Sequence, residues 1–191
     1  MLATRSLSAI LGLALLSACA GIPLTSIPRL MQLKGELLDA NPGEFMLAIQ
    51  MDSRMAPPPN AVPTLQLAIR PAQAGAFDVI DENIPMRHAI ASDAVHGLAS
   101  PPAGRRWLIY SLPPESQATL TRIQATFKRI KAEGGKGGGS VSFGIKQEGL
   151  AARDPAFADT RWESWLQMSR KDGFFELWSG TVADLVSMGS R

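Results

Sequence analysis

The sequence predicts an α+β domain, with a mostly antiparallel or sandwich-like sheet and one long amphipathic helix between strands. Short segments in which apolar and polar residues alternate occur before and after residues 115–133. Residues 115–133 themselves have the period of an α-helix. Strands and helices do not alternate regularly along the chain, as they would in a parallel α/β fold. We therefore expect a mostly antiparallel sheet that is interrupted in sequence by a single helix.

The composition is that of one folded domain. Of the 191 residues, 46% are hydrophobic and 19% are charged, which is typical of globular proteins and unlike disordered chains. The formal net charge is +2, without the strong basic excess by which nucleic-acid-binding domains neutralise phosphates. The composition therefore disfavours a nucleic-acid partner.

Residues 1–18 have the layout of a secretory signal peptide. A single basic residue, Arg5, precedes an apolar run that ends at Leu16. This run is too short for a transmembrane helix, which needs about 20 apolar residues. We expect residues 1–18 to be removed from the mature protein.

Directly after the leader lies Cys19, the one cysteine of the chain. Residues Leu16-Ser17-Ala18-Cys19 resemble the lipobox of bacterial lipoprotein precursors at all four positions. The resemblance implies cleavage before Cys19 and attachment of a diacylglyceryl group to its sulfur, with acylation of the new amino group. Several acyl chains suffice for stable membrane anchoring. The alternatives are an ordinary signal peptide with an incidental cysteine, or a lone buried thiol.

The residue after the cysteine bears on localisation. In lipoproteins of this class an aspartate there often retains the protein in the inner membrane, whereas this chain has Ala20. The resemblance therefore favours an outer-membrane lipoprotein that faces the periplasm. With one cysteine in the sequence, no intrachain disulfide is possible, so the domain must be stabilised by packing.

Residues 19–43 are predicted to form the lipidated N-terminus and a short packed tether. The segment is apolar but is broken by prolines and a glycine, so we expect only a short helix near Pro28–Leu33. Residues 44–191 then form a single periplasm-facing α+β domain. The tether would leave about ten residues between lipid and domain, which holds the domain close to the bilayer.

The first strands are predicted from alternation. In residues 44–52, Phe45, Leu47, Ile49 and Met51 share a face, and residues 64–70 alternate in the same way. The proline-rich segment 54–63 between them suits a loop that joins neighbouring strands. Further strands are predicted at residues 76–82, 86–91 and 105–112.

The helix is predicted over residues 115–133, after Pro113 and Pro114. Its apolar stripe consists of Leu120, Ile123, Phe127 and Ile130, and Gly134-Gly135 end it. Alternation resumes at residues 140–146. Residues 164–178 then predict a β-hairpin that turns at Asp172-Gly173.

Tryptophans concentrate in and next to this hairpin, since three of the four lie within the last thirty residues. Regular alternation places Trp165, Phe174 and Trp178 on one face beside polar residues, and the core on the other. Aromatic rings next to polar groups favour binding of a peptide, a glycan or a lipid headgroup. We therefore predict that Trp165, Phe174 and Trp178 form a partner-binding surface. The alternative is that the helix or the N-terminal segment covers them.

No catalytic or metal-binding motif stands out. The glycine run at 133–139 lacks the order of a phosphate-binding loop, because Lys136 is followed by glycine and a strand comes next. His88 and His96, with Asp93 between them, are too few for a metal site unless other ligands converge. No G-x-S-x-G or S-x-x-K motif is present. A pair of catalytic carboxylates stays open.

The sequence therefore predicts a lipid-anchored envelope protein that acts by binding or assembly, with no catalytic residue, metal or cofactor assigned. The alternative is a periplasmic enzyme, or a carrier of a small ligand or lipid.

Overall fold

The computed structural model describes residues 36–89, 98–132, 139–151 and 154–189. Within these ranges the chain forms two α-helices and eight strands in two antiparallel sheets, which confirms the predicted α+β fold. The predicted helix near Pro28–Leu33 and Cys19 lie outside the described residues.

The strands are β1 (Met46–Asp52), β2 (Thr64–Pro71), β3 (Ile80–Pro85), β4 (Arg87–His88), β5 (Arg105–Ser111), β6 (Gly139–Lys146), β7 (Arg161–Gln167) and β8 (Phe175–Thr181). The helices are α1 (Pro114–Ala132) and α2 (Val182–Gly189). A five-stranded sheet has the order β4-β5-β1-β7-β8, and a three-stranded sheet has the order β3-β2-β6.

Strand β1 lies at the centre of the five-stranded sheet, with β5 on one side and β7 on the other. The predicted face of Phe45, Leu47, Ile49 and Met51 is completely buried. These side chains form one core with Leu65, Leu67 and Ile69 of β2, so the two sheets share that core. The alternation in the sequence therefore identified the inward faces of both strands.

The segment between β1 and β2 differs from its prediction, because it joins strands of different sheets. Both edges of β1 are taken by β5 and β7, so β2 has no place beside it. Met55 at the start of this loop is buried in the core and fixes the crossing. The strand predicted at 76–82 is shifted to β3, and the strand predicted at 86–91 contains the two-residue β4, with residues 90 and 91 outside the described residues.

Helix α1 matches its predicted span within one residue at each end. Leu120 and Ile123 are buried, whereas Phe127 and Ile130 are partly exposed, so the helix packs mainly through its first half. The buried Gln124 donates from Nε2 to the carbonyls of Leu37 and Ala40, each at 2.9 Å. This side chain fastens the N-terminal segment to the domain.

Candidate binding face

The five-stranded sheet has an outer face, which is the side turned away from the shared core. Outward-pointing residues of β1 alternate with its core residues, and the cross-strand pairs extend this face to the neighbouring strands. Ala48 lies between Ile109 of β5 and Trp165 of β7. Gln50 lies between Trp107 and Glu163 in the same way.

A second apolar cluster forms on this outer face. Its buried members are Met46, Ala48 and Ile109. Packed against them are partly buried side chains, among which are three aromatic residues, Trp107, Trp165 and Phe174. We call these three residues the aromatic face. The rings of Trp107 and Trp165 meet edge to face, with centroids 6.2 Å apart and an interplanar angle of 87°, an arrangement that aromatic pairs prefer.

The two indole N–H groups of the aromatic face differ. Nε1 of Trp107 donates to the carbonyl of Ala99 at 2.9 Å. Nε1 of Trp165 is buried and has no acceptor among the residues that the structure describes. A buried donor without an acceptor costs about 1 to 3 kcal/mol. Trp165 therefore offers a hydrogen bond that the described part of the chain does not use.

An ionic cluster borders the aromatic face, beginning two residues before Trp107 on β5 and before Trp165 on β7. Nη1 of Arg105 lies 3.1 Å from Oε1 of Glu163, and Nε of Arg161 donates to the same oxygen. Arg105 also donates from Nη2 to the carbonyls of Gln50 and Arg161, at 3.0 and 3.1 Å. The outer face thus combines aromatic rings with a charged, hydrogen-bonded border.

The pKa of Glu163 reflects this cluster. Burial raises the pKa of the Glu163 carboxyl, but the hydrogen bonds and positive charges of Arg161 and Arg105 outweigh that effect. The net result is a pKa below the ordinary value. Glu163 is therefore ionised at neutral pH and holds both arginines in place.

The predicted outward direction of the Trp178 side chain was wrong, because this side chain lies in the shared core and not on the aromatic face. The β7–β8 pairing contains an irregularity, in which Ser164 opposes Trp178 but Trp165 opposes Glu176. Leu177 is left without a cross-strand partner, as in a β-bulge. This extra residue reverses the alternation, so Phe175 and Trp178 both point inward.

Space for Trp178 comes from a glycine two residues further along β8. A Cβ on Gly180 would lie 2.5 Å from Cζ2 of Trp178, so only glycine leaves room for the indole. Trp162, which pairs with Gly180, is also in the core and has no exposed surface. Two of the three clustered tryptophans are therefore structural, and only Trp165 belongs to the outer face.

The core tryptophan Trp162 has a polar partner. Its Nε1 donates to Oε1 of the buried Gln147 at 3.1 Å, and Oγ of Ser164 donates to the same oxygen at 2.7 Å. One amide oxygen therefore serves two buried donors at the base of the hairpin. The indole N–H of Trp162 is therefore bonded, whereas that of Trp165 has no acceptor among the described residues.

Sequence reasoning missed Trp107 as a member of the aromatic face. The segment 107–110 is apolar throughout, so alternation does not show which of its residues point inward. Only the pairing of β5 with β1 does so, because Trp107 lies opposite the outward-pointing Gln50. The signal that could have identified Trp107 is Gln50, the polar residue within the apolar stretch 46–51 of β1.

The histidines give no metal site in the described part of the chain. His88 is exposed on β4, with its ring 5.2 Å from that of Tyr110, whereas Asp93 and His96 lie outside the described residues. No group of three or more histidine, cysteine or acidic side chains converges within the described ranges. None of the helices described is long and apolar enough to cross a membrane.

Cavities lined by described residues also occur away from the aromatic face. One of about 240 Å³ lies between the N-terminal turn and the hairpin loop, and its lining includes Glu36, Asp39, Asp172, Met168 and Phe175. Another of about 560 Å³ lies between the end of β6 and α2, and its lining includes Pro58, Lys146, Glu148, Gly149 and Val186. The second is within the usual size of small-molecule pockets.

Comparisons of the chain with protein-family models, with curated proteins and with solved structures find no match.

Proposed function

We propose that this chain is a lipid-anchored envelope protein, attached through Cys19, whose domain acts by binding an envelope partner on the aromatic face. The observation that carries the binding proposal is the aromatic face itself. Trp107, Trp165 and Phe174 form one partly exposed apolar patch beside the cluster of Arg105, Arg161 and Glu163.

The chemistry of this face suits recognition. Aromatic side chains provide a large contact area at low entropic cost, and a polar, hydrogen-bonding border provides orientation. The N–H of Trp165, which has no acceptor among the described residues, adds a donor that an acceptor of the partner could reach after a small movement of the ring. A protein, a glycan or a lipid of the envelope each supplies such acceptors.

The anchor is tested by metabolic labelling with palmitate. The wild type is expected to incorporate label, and Cys19→Ala is expected to lose it, because the thioether and the new N-terminus both depend on this residue. Equal labelling of the two chains would contradict the anchor.

The binding face is tested by crosslinking in the native envelope, followed by identification of what is captured. The double variant Trp107→Ala with Trp165→Ala is expected to lose at least about 2 kcal/mol of binding, as for hot-spot aromatics. The matched control replaces Val62 and Val79 by alanine, since these are exposed apolar residues away from the face. Unchanged capture by the tryptophan variant would contradict the proposal.

A small-ligand carrier is the second candidate, and the cavity of about 560 Å³ is the observation that favours it. Gly149 lines this cavity, and a Cβ there meets no atom within 4 Å. Gly149→Trp would therefore place an indole at the lining of this cavity without a clash at its Cβ. If the protein is a carrier, this variant loses small molecules that copurify with the wild type, as measured by mass spectrometry, while partner capture is unchanged.

A further inference from the structure

Strand β6 forms one edge of the three-stranded sheet. All eight residues of β6 pair with β2, from Gly139 opposite Pro71 to Lys146 opposite Thr64. In the described part of the chain no strand lies along its other side. The outer edge of β6 therefore presents backbone N–H and C=O groups that can accept a further strand.

The two edges of this sheet are built differently. Strand β3 at the opposite edge contains Asp81, Glu82 and Pro85, and it packs against α1. The sequence of β6 is GSVSFGIK, with no proline and with one charge, at its last residue. Charges, prolines and covering helices are the devices that keep edge strands from pairing. These devices protect β3, whereas β6 has no proline and has a charge only at its last residue.

The inward side chains of β6 are incompletely covered. Val141, Phe143 and Ile145 pack on the shared core but stay partly exposed. Their partners on β2, which are Ile69, Leu67 and Leu65, are at most 1% exposed. A strand added beyond β6 would bury these three side chains as β6 buries those of β2.

The sequence of β6 is complementary to itself in an antiparallel arrangement. With Phe143 opposite Phe143 of the second copy, Val141 lies opposite Ile145 and Lys146 lies opposite Ser140. The two lysines are then at opposite ends, so no like charges face each other, and apolar residues pair with apolar residues. We infer that two copies of this chain associate through antiparallel pairing of their β6 strands, which joins their three-stranded sheets into one.

A cysteine crosslink tests this interface with a matched control. Ser142 and Asp81 flank Ala68 at the same level of the sheet, and both are exposed. In isolated envelopes, full chains carrying Ser142→Cys are expected to crosslink to a species of twice the monomer mass with a short bismaleimide. Chains carrying Asp81→Cys are expected to match the wild type. Both variants retain Cys19, so a product that arises from Cys19 appears equally in all three.

A second pair of variants separates the interface from stability. Val141 and Ile80 flank Ile69 on β6 and β3, and both are partly buried apolar residues. Placed in the Ser142→Cys chain, Val141→Lys is expected to abolish the crosslink, since an inward-pointing lysine blocks edge pairing. Ile80→Lys is expected to retain it, with a comparable fall in the thermal midpoint.

The inference is overturned if Ser142→Cys gives no product of twice the mass, or if Asp81→Cys gives as much. Crosslinking of Ser142→Cys only to a different envelope protein would also overturn it, since β6 would then pair with that protein. The dimer is scored relative to the monomer recovered in the same sample, so failure of the proposed anchor or partner does not imitate either result.

Discussion

Both faces of the β7–β8 hairpin carry tryptophan, but the tryptophans of the two faces differ in burial and in hydrogen bonding. On the inner face Trp162 and Trp178 are 0% and 7% exposed, and Nε1 of Trp162 is bonded to Gln147. On the outer face Trp165 is partly exposed, and its buried Nε1 has no acceptor among the described residues. Regular alternation along β7 places Trp162 and Trp165 on opposite faces, whereas the bulge on β8 turns Trp178 inward.

The sharpest test of this comparison is truncation of one tryptophan on each face. Trp162→Ala is expected to reduce the free energy of unfolding by about 3 to 5 kcal/mol, because it leaves a large cavity in the core. Trp165→Ala is expected to cost about 1 kcal/mol, since the side chain is partly exposed and its indole N–H has no acceptor among the described residues. Denaturant titration of the two purified chains measures the difference, and equal losses would break the distinction between the faces.

The polar partner of the inner face gives the next largest effect. Gln147→Leu removes the oxygen that accepts from both Trp162 and Ser164, and each buried donor left without an acceptor costs about 1 to 3 kcal/mol. Adding Trp162→Phe and Ser164→Ala removes both donors and is expected to recover part of the loss. Thermal unfolding of the single and triple variants checks this, and simple additivity of the losses would show that the three residues are not coupled.

A milder replacement sharpens the same comparison without emptying either site. Trp162→Phe is expected to destabilise by about 1 to 3 kcal/mol, through the lost hydrogen bond and the smaller ring. Trp165→Phe is expected to change stability by less than about 0.5 kcal/mol, because it also removes a buried donor that has no acceptor among the described residues. A clear loss with Trp165→Phe in denaturant titration would show that its N–H is bonded in solution.

The sequence predicts local alternation well in this chain. The prediction of the inward faces of β1 and β2 was correct, because one side of each strand is uniformly apolar. The long helix was correct because prolines and glycines bound a stretch with helical period. These features depend on neighbouring residues, so one sequence contains the information needed to find them.

Pairing between distant segments is what the sequence does not show. The division into two sheets follows from β5 and β7 both pairing with β1, and no local pattern encodes that choice. The bulge at Leu177 turns Trp178 into the core. The prediction placed Trp178 outside because it assumed uninterrupted alternation. The same lack of pairing information concealed Trp107, whose outward direction depends on its partner Gln50.

The ionic border of the aromatic face should give a small effect on stability, and this effect has a defined pH window. The pKa of Glu163 is below its ordinary value of 4.5 in the folded chain. A carboxyl with a lowered folded pKa stabilises the protein fully above its unfolded pKa, and this contribution is lost as the pH falls through the folded pKa. The stability difference between the wild type and Glu163→Gln should therefore be constant near neutral pH and shrink below pH 4.5. Partly exposed ion pairs contribute about 1 kcal/mol or less, so the measurement needs low salt.

Arg161→Gln removes one of the two cations that hold the carboxyl ionised, and it should move the pH window of this effect to higher pH. A difference that persists unchanged into acid would mean that the glutamine loses packing and not charge, and the cluster would then be a structural edge of the sheet.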